Sequence, residues 1–244
     1  MKASIQKRTQ GFTLVELMVG MVLGLILIAG VFTVYLSSKK TNNTSQGVLG
    51  AQSDAQLALS FMKEDIAKAG WVNNSSLGYS LPSPVPLDYS TYEGGAGPDI
   101  LKIHFESCDS SQPDNDCVGA GIDDADCNGQ AVTPGDIIEN IYQVTDGVLT
   151  CNGEPLISNV EDFQVLYGEL VGTNLNYVTA DNITNATNVR SIRFGLLLTS
   201  EQNTSDATIA RNINLLGKDI SVNDKKLHFK YETTVVLHNR PSGI

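Results

Sequence analysis

KRTQGFTLVELMVGMVLGLILIAGVF, residues 7–32, sets two basic residues and a glycine ahead of a long apolar run, with one carboxylate, Glu16, near the top of that run. From Leu17 to Leu36 there are 20 consecutive uncharged positions. As a helix rising ~1.5 Å per residue this is about 30 Å, enough to cross a hydrocarbon core. A cleaved secretory signal has a shorter apolar region of about 7–15 residues and a small-residue cut site behind it. Here the run is longer, and the polar YLSSKKTNNTSQ (35–46) follows without an Ala-x-Ala site. Lys2, Lys7 and Arg8 before the run, against Lys39 and Lys40 after it, bias the N-terminus to the cytoplasmic side.

A plain membrane anchor accounts for the apolar length but not for Glu16. An unpaired carboxylate in hydrocarbon costs at least ~2.5 kcal/mol and marks a functional partner by default. The alternative is a carboxylate that snorkels to the interface. Gly20 and Gly24 form a small-xxx-small pair compatible with close helix packing, a pattern common by chance.

GFTLVELMVGMVLG (11–24) resembles the N-terminus of type IV prepilins and the related pseudopilins. The resemblance implies that a prepilin peptidase cuts between Gly11 and Phe12 on the cytoplasmic face, that Phe12 is N-methylated, and that Glu16, then fifth in the mature chain, serves assembly. Physically, the cut exposes a cationic amine on Phe12. In a staggered bundle that amine can meet the Glu16 carboxylate of a neighbour, each charge compensating the other's desolvation. Glu16 also suits the amide dipoles of the first helical turns.

Downstream, GVLGAQSDAQLALSFMKEDIAKAGW (47–71) carries Leu49, Gln52, Ala55, Leu59, Met62, Ile66 and Ala69 at three- to four-residue spacing, the stripe of an amphipathic helix, with Gly70 as C-cap. If TNNTSQG (41–47) is only a local loosening, one helix of about 87 Å runs from Phe12 to Ala69. The rest reads as strands. DILKIHFES (99–107) alternates, YQVTDGVLTC (142–151) is a hairpin turning at Asp146–Gly147, and VEDFQVLYG (160–168), VRSIRFGLLLTS (189–200) and KLHFKYETTVVLHNR (226–240) follow. GTNLNYVTADNITNATN (172–188) reads as an exposed loop or irregular arm. The expected fold is α+β: a long N-terminal helix packed on an antiparallel β-sheet head, pilin-like. Its divisions are a leader at 1–11, a transmembrane and filament-core helix at 12–36, an amphipathic half at 37–71 and a β-rich head at 72–244.

The ALSFMKEDIAKAGW stretch, the paired YQVTDGVLTC and VEDFQVLYG strands and the ending TTVVLHNR resemble the PilW minor pilins. This resemblance thins over 109–133 and 172–188. It implies a subunit that primes fibre initiation in the bacterial inner membrane and is placed at the pilus tip, its head in the periplasm and then outside the cell. Its partners would be other minor pilins, the major pilin, the prepilin peptidase and the inner-membrane assembly platform. The J-type minor pseudopilin of the type II secretion system shares leader, helix and β-rich head and is the alternative.

With 27 acidic and 16 basic residues the net charge is −11, and removal of residues 1–11 with their three basic residues takes it to −14. No broad basic surface for phosphate backbones fits such a chain, so no nucleic-acid partner is expected. In DDADCNGQAVTPGD (123–136), Asp124, Asp126, Asn128 and Gly129 match the opening of an oxygen-rich Ca²⁺ loop. The twelfth position is Gly135 instead of Glu, with Asp136 one residue later as a candidate ligand. The segment reads either as a solvated acidic turn or as a single Ca²⁺ site, and no cofactor is required.

Cys108, Cys117, Cys127 and Cys151 are four cysteines in a domain expected outside the cytoplasm, where disulfides form. Three pairings are open. Cys108 and Cys151 each end a predicted strand, which favours a nested arrangement of 108 with 151 and 117 with 127. The spacings lack a C-x₂₋₄-C pair for zinc. His104, His228 and His238 lie in or beside strands, and no nucleophile, metalloprotease, P-loop or dinucleotide motif is present, so no enzymatic activity is expected.

Overall fold

The computed structural model describes residues 12–71, 95, 97–107 and 125–238. A single helix, α1 (Leu14–Lys68), opens the chain and is unbroken through 41–47. No proline or internal glycine pair interrupts this polar stretch. Thr41 and Thr44 turn their hydroxyls back to the carbonyls of Ser37 and Lys40, both at 3.0 Å, so their side chains do not compete for the helical amides. The chain divides into two compact units at Ser45/Gln46. In the first, the apolar side chains of α1 from Leu14 to Leu36 are exposed, and the helix is long and apolar enough to cross a membrane.

Among its described residues the second unit holds ten antiparallel strands: β1 (Leu101–Glu106), β2 (Ile137–Thr145), β3 (Val148–Cys151), β4 (Glu154–Ser158), β5 (Val160–Val171), β6 (Asn174–Val178), β7 (Val189–Thr199), β8 (Ile209–Leu215), β9 (Lys218–Asp224) and β10 (His228–Val236). They form a sheet ordered β1-β2-β3-β4, a second ordered β10-β7-β5-β6, and the hairpin β8-β9. Two-residue turns with left-handed backbone build the first sheet. Asp146–Gly147 (φ 51° and 75°) joins β2 to β3, and Asn152–Gly153 (φ 49° and 87°) joins β3 to β4. Such turns match the right-handed twist of the strands they connect.

The helix contributes Ala51, Ala55, Ala58, Met62, Ile66 and Ala69 to the main core, where they join side chains of both four-stranded sheets. The buried stripe thus differs from the expected one. Leu49 and Gln52 are exposed, and alanines take the contact because small side chains let the helix backbone approach the sheets. A Cβ added at Gly47 would lie 3.1 Å from Ser200 Cβ. Gly70, at φ 77°, ends the helix in the left-handed conformation and donates its N–H to the His104 carbonyl at 2.7 Å, tying the helix end to β1.

Three parts of the β reading are corrected. β2 begins at Ile137 and not at 142, and pairs with β1 through Phe105↔Ile138 and Leu101↔Tyr142. Residues 172–188 are not an irregular arm. β6 returns along β5, and two 3-10 turns, Ala180–Asn182 and Ala186–Asn188, bury Ala180 and Ala186. The anchor is Glu169, whose carboxylate accepts from Thr184 Oγ1 at 2.6 Å and Asn185 N at 2.6 Å. Burial pushes the Glu169 pKa up, but the Thr184 and Asn185 donors outweigh it and hold the carboxyl below its ordinary range. Finally, residues 209–224, not read as strands, form the β8-β9 hairpin over the outer face of β7. Gly195 makes room for it: a Cβ there would come within 2.8 Å of Leu215 Cδ1. The hairpin is tied down by Lys218, whose Nζ lies 3.1 Å from the buried Asp162 carboxylate and also donates to the Gly97 carbonyl. The last strand ends at Val236, and residues 239–240 lie outside the described residues.

Candidate assembly site

Two constellations stand out, one at the start of α1 and one where its second half meets the head. At the start, Gly11 lies outside the described residues, and Phe12 is exposed just before the helix. Thr13 occupies the N-cap position. The Glu16 N–H donates to Thr13 Oγ1 at 3.3 Å, while the Thr13 N–H and hydroxyl both donate to Glu16 Oε2 at 3.0 Å. This is a capping box, in which residues N-cap and N3 satisfy each other's free amides. Glu16 therefore has an intramolecular partner in the isolated chain. The Thr-x-x-Glu spacing signals it in the sequence, and the reading by family resemblance passed over it.

The second constellation centres on Asp65, on the buried face of α1 and only 7 % exposed. Strand β2 presents Asn140 and Tyr142 to it from one face of the pleat. Asn140 Nδ2 donates to the two carboxylate oxygens at 3.0 and 2.8 Å, and the Tyr142 hydroxyl donates to Oδ2 at 2.7 Å. Asn140 Oδ1 in turn accepts from the Cys127 N–H at 3.1 Å and Asn152 Nδ2 at 3.3 Å. Asn152 closes the ring by accepting from the Ile141 N–H at 2.8 Å and donating to Asp126 Oδ2 at 3.3 Å. The sequence held one trace of this site: Asp65 falls three residues after Met62 and one before Ile66, a carboxylate on an apolar stripe.

Burial pushes the Asp65 pKa above its ordinary 3.8, against the opposing pull of Tyr142, Asn140 and Lys68, while Glu64 adds to the rise. Burial and the Asp65 carboxylate likewise push the Tyr142 phenol up. A carboxyl with a raised native pKa binds its proton more tightly folded than unfolded. Its stabilising contribution is complete below pH 3.8 and is lost as pH rises through the native value. Denaturation across this range should show wild type losing stability relative to Asp65→Asn as pH rises. Parallel curves would contradict the assignment.

Cys127 and Cys151 are joined by a disulfide, with Cα atoms 6.3 Å apart. The nested pairing is thereby corrected: Cys151 is bonded to 127 and not to 108. Cys127 lies in a short turn where Ala125 and Ala131 bridge, which carries it to the end of β3, whereas the positions of Cys108 and Cys151 at strand ends had favoured pairing those two. Cys108 and Cys117 lie outside the described residues. So does Asp124. Asp126 Oδ1 accepts from the N–H groups of Asn128 and Gln130, both at 2.9 Å, so this carboxylate closes its own turn. Among the described residues no set of three or more His, Cys, Asp or Glu side chains could hold a metal ion.

Comparison with known families now bears on the first constellation. Residues 6–32 match the prokaryotic N-terminal methylation motif, and residues 130–239 match the type IV pilus-assembly protein W family, PilW. Both matches are to type IV pilus families, one at the N-terminal helix and one over the head, and together they support a type IV minor pilin. A search of curated protein sequences returns no match. Among solved structures, a type IV-like pilin, TTHA1219, from Thermus thermophilus aligns at 13 % identity with a TM-score of 0.45, covering 77 % of this chain and 95 % of that one. In this chain the methylation motif spans the proposed cut and Glu16, and the PilW match spans β2 to β10, including Asn140, Tyr142 and Cys151.

Two histidines lie beside carboxylates. His104 Nε2 lies 2.5 Å from Glu139 Oε2 across the β1–β2 pair, and the buried side chain of His228 in β10 has Nε2 3.4 Å from Asp224 Oδ2. On the outer side of α1, Leu49, Leu57 and Phe61 remain exposed, large apolar side chains on one side of a helix whose opposite face is buried.

Proposed function

We propose that this protein is a non-enzymatic minor pilin that takes part in type IV pilus assembly, primes fibre initiation and is placed at the fibre tip. The observation that carries the proposal is the methylation motif set directly before an apolar helix with Glu16 in its first turn. Cutting between Gly11 and Phe12 would leave the whole apolar segment in place. The helix would hold the subunit in the inner membrane with its head in the periplasm, and later in the fibre. The divisions 1–11, 12–36, 37–71 and 72–244 then correspond to leader, membrane and fibre core, connecting half and head. The exposed Leu49, Leu57 and Phe61 supply apolar surface for packing on other minor pilins and the major pilin, with the prepilin peptidase and the inner-membrane platform as earlier partners. No nucleic-acid partner is proposed for so acidic a chain.

Disrupting the gene tests this. Loss of surface pili and of twitching, with exoprotein secretion intact, is expected. Loss of secretion with pili retained would assign the protein to the J-type pseudopilins instead.

A Ca²⁺ ion held by Asp124, Asp126, Asn128 and Asp136 is a separate proposal, in which the ion would compete with the two backbone amides that Asp126 already accepts. Calorimetric titration decides it. Saturable heat abolished by Asp124→Ala would establish the site, and no such heat would leave 123–136 an acidic turn.

A further inference from the structure

The amide of Asn140 is the hinge between the disulfide and the helix. Its side chain is completely buried, and all of its hydrogen-bonding capacity is used. The two donors that meet Oδ1 come from residues at the two half-cystines: the Cys127 N–H itself, and Asn152, which follows Cys151. An Asn side chain presents oxygen to one side and nitrogen to the other. Donors fixed on the oxygen side therefore hold Nδ2 toward Asp65. Were the Cys127 segment released, Oδ1 would keep only the longer contact from Asn152 Nδ2, at 3.3 Å, and the orientation would be weakly held. A turned amide would aim its oxygen at the Asp65 carboxylate, in a site where a buried charge without donors is costly.

We propose that the Cys127–Cys151 disulfide acts as a redox latch for docking of the second half of α1, by locking the Asn140 amide so that it donates to Asp65. In the oxidised chain residues 51–69 are held on the sheets. In a chain lacking the bond, the loop at 126–130 no longer offers the Cys127 amide, Asp65 loses two of its three donor contacts, and the helix segment opens while the sheets persist. The sheet β10-β7-β5-β6 has its own support, since the Phe163–Phe194 ring contact and the β5–β7 ladder do not involve the cysteines. Because disulfides persist in oxidising compartments, docking would follow arrival of the head outside the cytoplasm. That timing rests on the proposed export of the head. The coupling between bond and helix does not.

Hydrogen exchange on the full chain in detergent micelles tests the coupling. It would compare wild type with the Cys127→Ser, Cys151→Ser double variant, so that Cys108 and Cys117 are left as they are. Amides of residues 51–69 should exchange at least about tenfold faster in the double variant, with β5 and β7 changed by less than about twofold. The same pair of cysteine substitutions placed in an Asp65→Asn background should accelerate the helix by less than about threefold, because no buried carboxylate then depends on the Asn140 orientation. Unchanged exchange over 51–69, equal acceleration of helix and strands, or equal acceleration in the Asp65→Asn background would each overturn the latch. If Asp65→Asn does not fold, fluorescence of Trp71, which follows the helix end and packs against Phe105 and Ile138, gives the readout in the remaining pair. A shift confined to the cysteine variant supports the latch, and identical spectra overturn it.

Discussion

Replacing Asn140 with leucine is expected to cost about 3–5 kcal/mol of stability, an effect at the scale of breaking a buried charge interaction. Leucine keeps the branched four-atom skeleton and is somewhat larger, so no cavity forms and the loss comes mainly from polar groups. Asp65 would retain only the Tyr142 hydroxyl, and the Cys127 N–H would face a methyl group where Oδ1 now accepts it. Asp65→Leu alone should also destabilise, since Asn140 and Tyr142 would be left with buried donors. The double variant Asp65→Leu/Asn140→Leu should cost clearly less than the two single losses together, because an apolar pair leaves fewer unmet groups than either half-removed one. Denaturant midpoints followed by Trp71 fluorescence measure all three. Additive losses would show that the two residues do not act as one unit.

Substitution of Glu16 should have the largest effect on assembly. Glu16 caps its own helix through Thr13, and in the proposed fibre its charge also meets the Phe12 amine of a neighbour. Three variants separate these roles. Thr13→Ala removes the capping box at a cost of about 0.5–2 kcal/mol of helix stability but keeps the charge. Glu16→Gln keeps a box, since glutamine serves at the same position, and removes the charge. Glu16→Ala removes both. If charge pairing sets the register, Gln and Ala should each lower co-purification with partner pilins by about tenfold or more, the factor that ~1.4 kcal/mol produces, while Thr13→Ala stays near wild type. All three should still mature to a chain that begins at Phe12, read by intact mass. Normal incorporation of Glu16→Gln would mean that the box, and not the neighbour's amine, is what assembly requires.

What could be read in the sequence was set by local rules. The apolar run, Gly70 at the helix end and the Asp146–Gly147 turn each follow from a few adjacent residues, and each stands where it was expected. The failures required knowledge of distant partners. Ala55 was expected on the buried stripe. Ala51 and Ala58 look unremarkable beside Leu49, yet close approach to the sheets selects them and leaves Leu49 outside. The polar stretch 172–188 resembled a loop because its anchor, Glu169, lies upstream in β5. The β8-β9 hairpin turns at Leu216–Gly217 (φ 51° and 98°), and its place over Gly195 depends on a missing Cβ that a propensity argument does not weigh.

The same contrast holds for the sites. Phe12 and Glu16 are nominated by their fixed offsets from Gly11 in a continuous motif, and their roles in cutting and assembly belong to the proposal. The Asp65, Asn140, Tyr142 and Asn152 network was not legible, since its members are spread over 87 positions and become neighbours only when β2 and β3 pair beside the helix. The cysteine pairing failed for a related reason. Strand ends suggested which cysteines were near one another, but the turn bridged at Ala125 and Ala131 brings Cys127 to the end of β3.

In-cell crosslinking of the mature protein, followed by mass spectrometry of the joined peptides, tests the central claim most directly. The account predicts crosslinks from the exposed face of α1 around Leu49, Leu57 and Phe61 to the corresponding helices of other type IV pilins. Crosslinks to secretion pseudopilins, or none to any pilin-class helix, would contradict it.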